Sequence, residues 1–260
     1  METVEQRLNA RTMNIRVAAD YVYVADLADV HVGANHHHTR KFNATIDLIS
    51  SIPNFYVIVG GDCTESSGIH TKSSVFEEKS HGYDQVKELR AKLRPIKDRI
   101  LFVRSGNHGH ERAQRNNKMA PENILADLLD VPYFEGFGSA IVNARKNTYV
   151  VATQHNAKKP NAFGWMQGVD VMFYEHKHLQ GYEREPIASV NRFTKKWGMR
   201  EMLHVQAGSF LAWGGYAADK GYKPQFTGCP IIELSGKKEQ WGTAVYENID
   251  QFRRAVLIEK

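Results

Sequence analysis

Short apolar runs alternate with segments of helical spacing through the first two thirds of this 260-residue chain. The apolar runs are rich in β-branched and aromatic residues, and they predict strands at residues 21–25, 55–59, 99–103, 148–152 and 169–173. Apolar residues recur at helical spacing between these runs, which predicts helices at residues 42–51, 83–93 and 122–129. Continuous apolar strands separated by helices are typical of an α/β domain with sheets buried on both faces.

The pattern changes after about Phe193, where short strand-like segments follow one another between Gly-rich turns. The clearest of these segments are residues 231–234 and 243–246, and their spacing predicts antiparallel sheet. The length suits one sizeable domain, so we expect a single α/β (α+β) domain over residues 1–260. Its last part, from about 193 to 260, is expected to complete the sheet and to shape a substrate site.

Polar clusters lie just beyond the carboxyl ends of the five predicted strands. These clusters are Asp29 with His31, Asp62, Asn107 with His108, His155, and His176 with His178. In open α/β sheets, ligands bind at the edge where the strands have their carboxyl ends. The sequence therefore predicts that side chains far apart along the chain converge in space.

The residue types in these clusters are those that bind metal ions. In extended chain, residues i and i+2 share a face, so Asp29 with His31, or His176 with His178, can hold one ion. Asp62 follows two glycines that permit a sharp turn, and its two oxygens can bridge two cations. Taken singly, most of these clusters are better explained as a polar turn or strand end. The complete set is what predicts a metal centre.

In their order along the chain, the motifs Asp-x-His, Gly-Asp, Gly-Asn-His, His and His-x-His resemble those of the calcineurin-like metallophosphoesterases. They extend from Asp29 to His178, a little over half of the chain. The resemblance implies a two-sheet β-sandwich flanked by helices, with two divalent cations. The first motif, from Asp29 to Gly33, is closest in form to the nuclease and polymerase-small-subunit branches.

The resemblance also implies a role for each side chain. One ion would be bound by Asp29, His31 and His178, the other by Asn107, His155 and His176, with Asp62 bridging both. His108 would lie near the leaving-group oxygen, and Glu65 would be the acid that orients it. A mixed nitrogen and oxygen ligand set suits transition metals better than calcium, so we expect manganese, with iron, zinc, nickel or magnesium as alternatives.

Two positions depart from the family pattern. Gly109 follows His108 where the family commonly has an acid, so Glu111 or Glu65 would have to orient that imidazole. Glu175 precedes His176 where many members have glycine. Either the backbone differs there, or Glu175 contacts a metal ligand from behind.

Charge and composition bear on partners and location. The formal net charge of +5 and pI of about 9.1 favour nucleic acid or nucleotides, although many ordinary enzymes are equally basic. Arg112 is a candidate for phosphate binding, with a surface salt bridge as the other interpretation.

No apolar run approaches the roughly 18 residues of a membrane span, and the first residues lack a signal sequence, so we expect no membrane partner. Two cysteines are expected as buried thiols in a cytoplasmic protein.

Two further segments have a functional and a structural interpretation. Residues 36–38 are three histidines, which form either a substrate-facing loop or, as we prefer, a solvated loop before a helix. Residues 213–216 contain Trp213 and Tyr216 around two glycines. They form either a loop that stacks on a base or, slightly preferred, core aromatics beside a turn.

Together these features predict a dinuclear-metal phosphoesterase, first of all a phosphodiesterase that hydrolyses nucleic acid or nucleotide phosphodiesters with a metal-activated water. A phosphomonoesterase or a cyclic-nucleotide phosphodiesterase remains an alternative because a fold and a metal centre do not fix the substrate. A catalytically silent scaffold is a further alternative, but all seven ligand positions and His108 are filled. An amidohydrolase barrel is rejected because its His-x-His comes early and its Asp late.

Overall fold

The computed structural model describes residues 10–67, 78–108, 120–155, 166–191, 193–214, 216–219, 221, 223–238 and 243–257, with Thr3 and Gln6. Its strands are β1 (Arg11–Val17), β2 (Tyr21–Asp26), β3 (Phe55–Val59), β4 (Ile100–Arg104), β5 (Tyr133–Phe134), β6 (Gly138–Ala144), β7 (Asn147–Gln154), β8 (Val171–Tyr174), β9 (Gln180–Asn191), β10 (Lys196–Ala207), β11 (Ile231–Ser235) and β12 (Thr243–Tyr246). Its helices are α1 (Thr39–Ser51), α2 (Tyr83–Leu93), α3 (Pro121–Leu129), α4 (Tyr216–Asp219) and α5 (Ile249–Phe252). A 3₁₀ segment, Arg94–Arg99, follows α2, and a π segment, Arg253–Leu257, follows α5.

The five strands and three helices expected in the first two thirds of the chain are confirmed, with small differences at their ends. Helix α1 begins earlier than expected because the ring nitrogen Nδ1 of His38 accepts a hydrogen bond from the backbone N–H of Lys41. A side chain that caps a helix in this way satisfies one of the four unpaired N–H groups of the first turn.

The strands form two six-stranded sheets. One sheet has the order β1-β6-β7-β8-β10-β9, and the other has the order β12-β11-β2-β3-β4-β5. Strands β2 to β5 run parallel, and β11 and β12 continue that sheet in antiparallel fashion. In the other sheet β8 runs parallel to both β7 and β10. The molecule is therefore a mixed α/β protein.

The two sheets pack against each other through one apolar core. Val24, Ile58 and Phe102 of one sheet belong to the same buried cluster as Val151 and Val205 of the other. Each such side chain contributes about 1.5–3 kcal/mol on burial. This shared core fixes the ends of β2, β3 and β4 in relation to the ends of β7 and β8.

The helices cover the opposite face of the β2–β5 sheet. Phe42 and Ile49 of α1, Leu89 of α2 and Leu125 of α3 are buried in a cluster with Val57 of β3. Strands that are covered on both faces carry apolar residues at successive positions, which explains their continuous apolar runs. Among the described residues, no helix combines the length and the apolar character required to cross a bilayer.

The expectation of short strands after about Phe193 is wrong for β10, and its hairpin partner β9 was not predicted. These two strands have 12 residues each and pair along their whole length. Their outer halves are largely exposed, so no core-facing apolar period marks them in the sequence. The antiparallel arrangement is confirmed, and the buried free thiols expected at Cys63 and Cys229 are found.

Candidate metal centre

The polar clusters lie where neighbouring strands end at one edge. Strands β2, β3 and β4 are parallel neighbours, and Asp29, Asp62 and Asn107 follow their carboxyl ends. In the other sheet, β7 and β8 are also parallel neighbours, and His155 and His176 follow them. Contacts between the two sets, described below, confirm that the clusters converge.

Five of the seven predicted ligands have a left-handed backbone. Their φ angles are 49° for Asp29, 51° for His31, 55° for Asp62, 78° for His176 and 56° for His178. This conformation costs a non-glycine residue about 1–3 kcal/mol, and such residues are concentrated at functional sites. The chain therefore turns sharply at the end of each strand and directs these side chains to one place.

The first ligand group contains Asp29, His31 and His178. Nε2 of His178 is 3.2 Å from Oδ1 of Asp29 and 3.2 Å from Nε2 of His31, and the last atom is 3.8 Å from Oδ1 of Asp29. Oδ1 of Asp29 is buried and accepts no hydrogen bond within the described part of the chain. A buried carboxylate oxygen that faces two imidazole nitrogens fits a cation ligand set.

The second group contains Asp62, Asn107, His155 and His176. Nε2 of His155 is 2.9 Å from Oδ1 of Asn107 and 3.2 Å from Oδ2 of Asp62. The rings of His155 and His176 are 5.1 Å apart between centroids. One ligand atom each from Asp62, His155 and His176 lie within 4.8 Å of one another. The group therefore offers oxygen and nitrogen donors to a second position.

Asp62 lies between the two groups. Its carboxylate also belongs to a set of ligand atoms with His31 and His108 whose members are within 4.8 Å of one another. Oδ1 of Asp62 accepts the backbone N–H of His108 at 2.7 Å, while Oδ2 faces Nε2 of His108 at 3.7 Å. The carboxylate of Asp62 therefore lies near histidines of both groups.

Glu65 holds two imidazoles at once. Its carboxylate lies 2.8 Å from Nδ1 of His31, so that nitrogen is the donor and Nε2 is directed at the ligand group. Its backbone carbonyl, 2.9 Å from Nδ1 of His108, accepts that N–H, whereas its carboxylate is 3.9 Å away. Glu65 thus contacts His108, the residue it was expected to orient, through its main chain.

Glu175 has the same relation to the second group. Its carboxylate is 2.9 Å from Nδ1 of His155 and accepts the backbone N–H of Gly61 at 2.7 Å. It also accepts hydrogen bonds from Nη1 of Arg104 at 3.1 Å and from the hydroxyl of Thr153. The sequence left two interpretations for Glu175, and the contact with His155 supports the one in which it orients a ligand from behind.

The buried carboxylates and imidazoles of the cluster shift one another's pKa values. Burial would raise the pKa of Asp29, but the imidazoles of His178 and His31 lower it well below its usual range. Burial would lower the pKa of His31, but the neighbouring carboxylates of Asp29 and Glu65 raise it to about 10. Buried carboxylates thus hold positive charge at this place, and ligand sites exchange protons for metal ions.

A buried carboxylate behind the centre was not identified from the sequence. Glu122, in the first turn of α3, is fully buried, and neither of its oxygens has a hydrogen-bond partner in the described ranges. Burial and the charge of Asp62 raise the pKa of Glu122 to about 7. An acid in the first turn of a helix is common, so no local signal distinguishes it.

The preferred interpretation of residues 36–38 is wrong for His37. This side chain is buried, and its Nδ1 lies 2.9 Å from the carbonyl oxygen of Val30. The chain around Leu211 forms a bridge with His37 and covers it, which no local pattern could indicate. Burial lowers the pKa of His37 to about 4, so it is a neutral residue of the core near the centre.

The preferred interpretation of residues 213–216 is wrong for Trp213, which is 48% exposed. Its loop is attached to the centre, because the hydroxyl of Ser209 and the backbone N–H of Phe210 both donate to the carbonyl oxygen of Asp29. Phe210 is the aromatic residue of this segment that enters the core. The exposed indole therefore remains a candidate for contact with substrate.

Three residues considered above, Gly109, Glu111 and Arg112, lie outside the described ranges. A scan against protein-family models gives no match to this chain, and a search of curated proteins gives none either. The fold and the site define a class: a mixed α/β protein with two multi-stranded sheets and buried histidine and aspartate groups that could hold a metal ion.

Proposed function

We propose that this chain is a dinuclear-metal phosphodiesterase of the calcineurin-like fold that hydrolyses nucleic acid or nucleotide phosphodiesters. The observation that carries the proposal is the convergence of two ligand groups on either side of Asp62. The order of the motifs and the two packed sheets with outer helices support the same fold. The proposal extends to the number of ions and to the reaction.

Two ions are proposed because the ligand atoms form two groups, and the carboxylate of Asp62 lies near histidines of both, His31 and His155. Asp29, His31 and His178 would hold one ion, and Asn107, His155 and His176 the other. Manganese is the metal we propose, since mixed imidazole, carboxylate and amide ligands suit such ions. When bound, the pair would supply Lewis acidity to the phosphate oxygens and lower the pKa of the attacking water.

His108 is the residue we assign to the leaving group. Its Nδ1–H donates to the carbonyl oxygen of Glu65, so Nε2 is directed toward Asp62 and the space between the ligand groups. A protonated Nε2 at this place can donate its proton to the departing alkoxide. Such general acid catalysis contributes about 10²–10⁴ to the rate.

A phosphodiester substrate is proposed on two grounds. The segment Asp29 to Gly33 is most similar to the nuclease and polymerase-small-subunit branches, whose substrates are polynucleotides. The net charge of +5 favours a polyanion. Both grounds concern the substrate and not the metal centre, so the substrate class can be tested separately from metal binding.

The test is a substrate panel with added Mn²⁺. Hydrolysis is measured for an aryl phosphodiester, an aryl phosphomonoester, single-stranded DNA and cyclic nucleotides, with the Asp62→Asn variant as the control. We expect hydrolysis of the aryl diester and of DNA by the wild type and loss of both in the variant. Equal activity in the variant would contradict the proposal. Activity confined to the monoester would show that the substrates are phosphomonoesters and not phosphodiesters.

A further inference from the structure

The hairpin of β9 and β10 extends beyond the sheet that carries it. Its strands pair over 12 residues, whereas only Leu203–Gln206 of β10 pairs with β8. The base of the hairpin, where Gln180 pairs with Ala207, follows the ligand His178 by two residues. A two-stranded ribbon therefore leads from the candidate metal centre toward the opposite end of the sheet.

Charge is segregated along this ribbon. Residues 187–200, here called the ribbon tip, contain four cations, Arg192, Lys195, Lys196 and Arg200, and no acidic residue. The acids lie closer to the base, where Glu201 forms an ion pair with Arg184 and Glu185 with His204. Lys195 and Lys196 are exposed, whereas Arg192 lies outside the described ranges. The tip therefore attracts anions.

Large apolar side chains are exposed on the same tip. The exposed fractions are 88% for Phe193, 77% for Trp197, 71% for Met199 and 51% for Val190. Trp197 is directly opposite Val190 in the antiparallel pair, so the two share one face of the ribbon. Neighbouring exposed apolar residues, unlike single ones, are typical of interaction sites.

We propose that the ribbon tip binds single-stranded nucleic acid, which makes polynucleotides the substrate class of the proposed phosphodiesterase. Cations that neutralise phosphates, together with aromatic side chains that stack on bases, are what single strands require. A second copy of the chain fits less well, because a symmetric contact would bring the exposed cations Lys195 and Lys196 of both copies together. That the bound strand is also the hydrolysed substrate rests on the proposed function, but binding of the strand to the tip does not.

The length of the ribbon sets the length of the ligand. From Gln180 to Asn191 the strand extends roughly 36 Å at about 3.3 Å per residue. Even at the rise of about 3.4 Å per nucleotide of fully stacked DNA, roughly ten nucleotides are enough to contact both the tip and the metal centre. Residues of the tip therefore affect long substrates and leave small ones unchanged.

The test measures binding of a fluorescent 30-nucleotide oligothymidine to the full chain in EDTA, which prevents hydrolysis. We expect Trp197→Ala to weaken binding roughly fivefold or more through loss of stacking, and Trp197→Phe to retain it. Lys196→Glu is expected to weaken binding and to reduce the slope of log K against log salt by about one. The matched control is Lys97→Glu, which changes the same charge at an exposed position of the 3₁₀ segment.

Unchanged affinity in both Trp197→Ala and Lys196→Glu would overturn the proposal. So would loss of a dimer in Trp197→Ala by light scattering, or loss of binding to anionic vesicles with DNA binding retained, since each would identify another partner. Circular dichroism checks that the variants are folded.

Failure of the proposed function gives a different result. If oligonucleotide binding depends on Trp197 but no diester is hydrolysed, the ribbon tip is a binding site and the phosphodiesterase assignment fails. If the aryl diester is hydrolysed but the tip variants bind DNA as the wild type does, only the ribbon inference fails.

Discussion

Single residues behind the ligands determine which ring nitrogen faces the proposed ions. The carboxylate of Glu65 accepts the N–H of His31, and the carboxylate of Glu175 accepts that of His155. Each contact orients its imidazole and directs Nε2 toward the other predicted ligands. A different glutamate thus orients a histidine in each of the two ligand groups.

Replacement of Glu175 by Gln is expected to impair one half of the centre. Nδ1 of His155 would lose its charged acceptor, and partners of this kind typically account for 10–100-fold in metal affinity. We expect the ion held by Asn107, His155 and His176 to bind about 10–100-fold more weakly, with the other ion retained. Titration with Mn²⁺ and the bound manganese per chain measure this.

The matched variant is Glu65→Gln, which removes the acceptor of His31. Here the ion held by Asp29, His31 and His178 is expected to weaken, and the second ion to remain. If either variant binds two ions as tightly as the wild type does, the replaced glutamate does not orient its histidine for metal binding.

Glu122 makes the stability of the metal-free protein depend on pH. In the unfolded chain its carboxyl releases a proton near its ordinary pKa of 4.5, whereas in the fold the pKa is about 7. Stability therefore falls as the pH rises from about 4.5 to 7, by about 3 kcal/mol at 1.36 kcal/mol per pH unit over that interval. Above pH 7 this contribution is constant.

We accordingly expect Glu122→Gln to be more stable than the wild type at pH 8 and similar to it near pH 4.5. Urea unfolding in EDTA at the two pH values measures the difference. A stability difference between the two proteins that is the same at both pH values would show that Glu122 is not the titrating group.

At the scale of elements, the sequence predicts those strands and helices whose apolar pattern is visible within the segment itself. Strands β3 and β4 are continuous apolar runs, and α2 has apolar residues at helical spacing, so each was found with small errors. β9 and β10 were not found as long strands, because their outer halves gain stability from pairing across the hairpin. Such pairing requires no alternation of apolar and polar residues along either strand, so it cannot be recognised in the sequence.

The turns at the strand ends depend on glycines that keep the ligands close. A methyl group at Gly106 would lie 2.1 Å from Oδ1 of Asp62 and 2.2 Å from its backbone nitrogen. We therefore expect Gly106→Ala to displace Asp62, to lower stability by about 1–3 kcal/mol and to reduce manganese binding.

Gly198→Ala is the control for this substitution, since nothing lies within 4 Å of a methyl group at Gly198. Urea unfolding and manganese content compare the two variants. A Gly106→Ala protein as stable and as metal-rich as the Gly198→Ala protein would contradict the close packing of the two turns.

At the scale of the whole molecule, the site could be predicted because its position follows from the topology. Parallel strands with apolar runs end at one edge, so residues such as Asp29 and His178 meet although nearly 150 positions separate them. The contacts of Glu175 could not be predicted, because its partners Gly61, Arg104 and His155 come from three other strand ends. Their arrangement depends on how the two sheets pack.

The most direct test of the proposed dinuclear centre is anomalous diffraction from crystals grown with Mn²⁺. We predict two manganese peaks per chain, about 3.5–4 Å apart, with the carboxylate of Asp62 between them. The expected ligands of the pair are Asp29, His31, His178, Asn107, His155 and His176. A single peak, no peak, or manganese bound away from Asp62 would contradict the account.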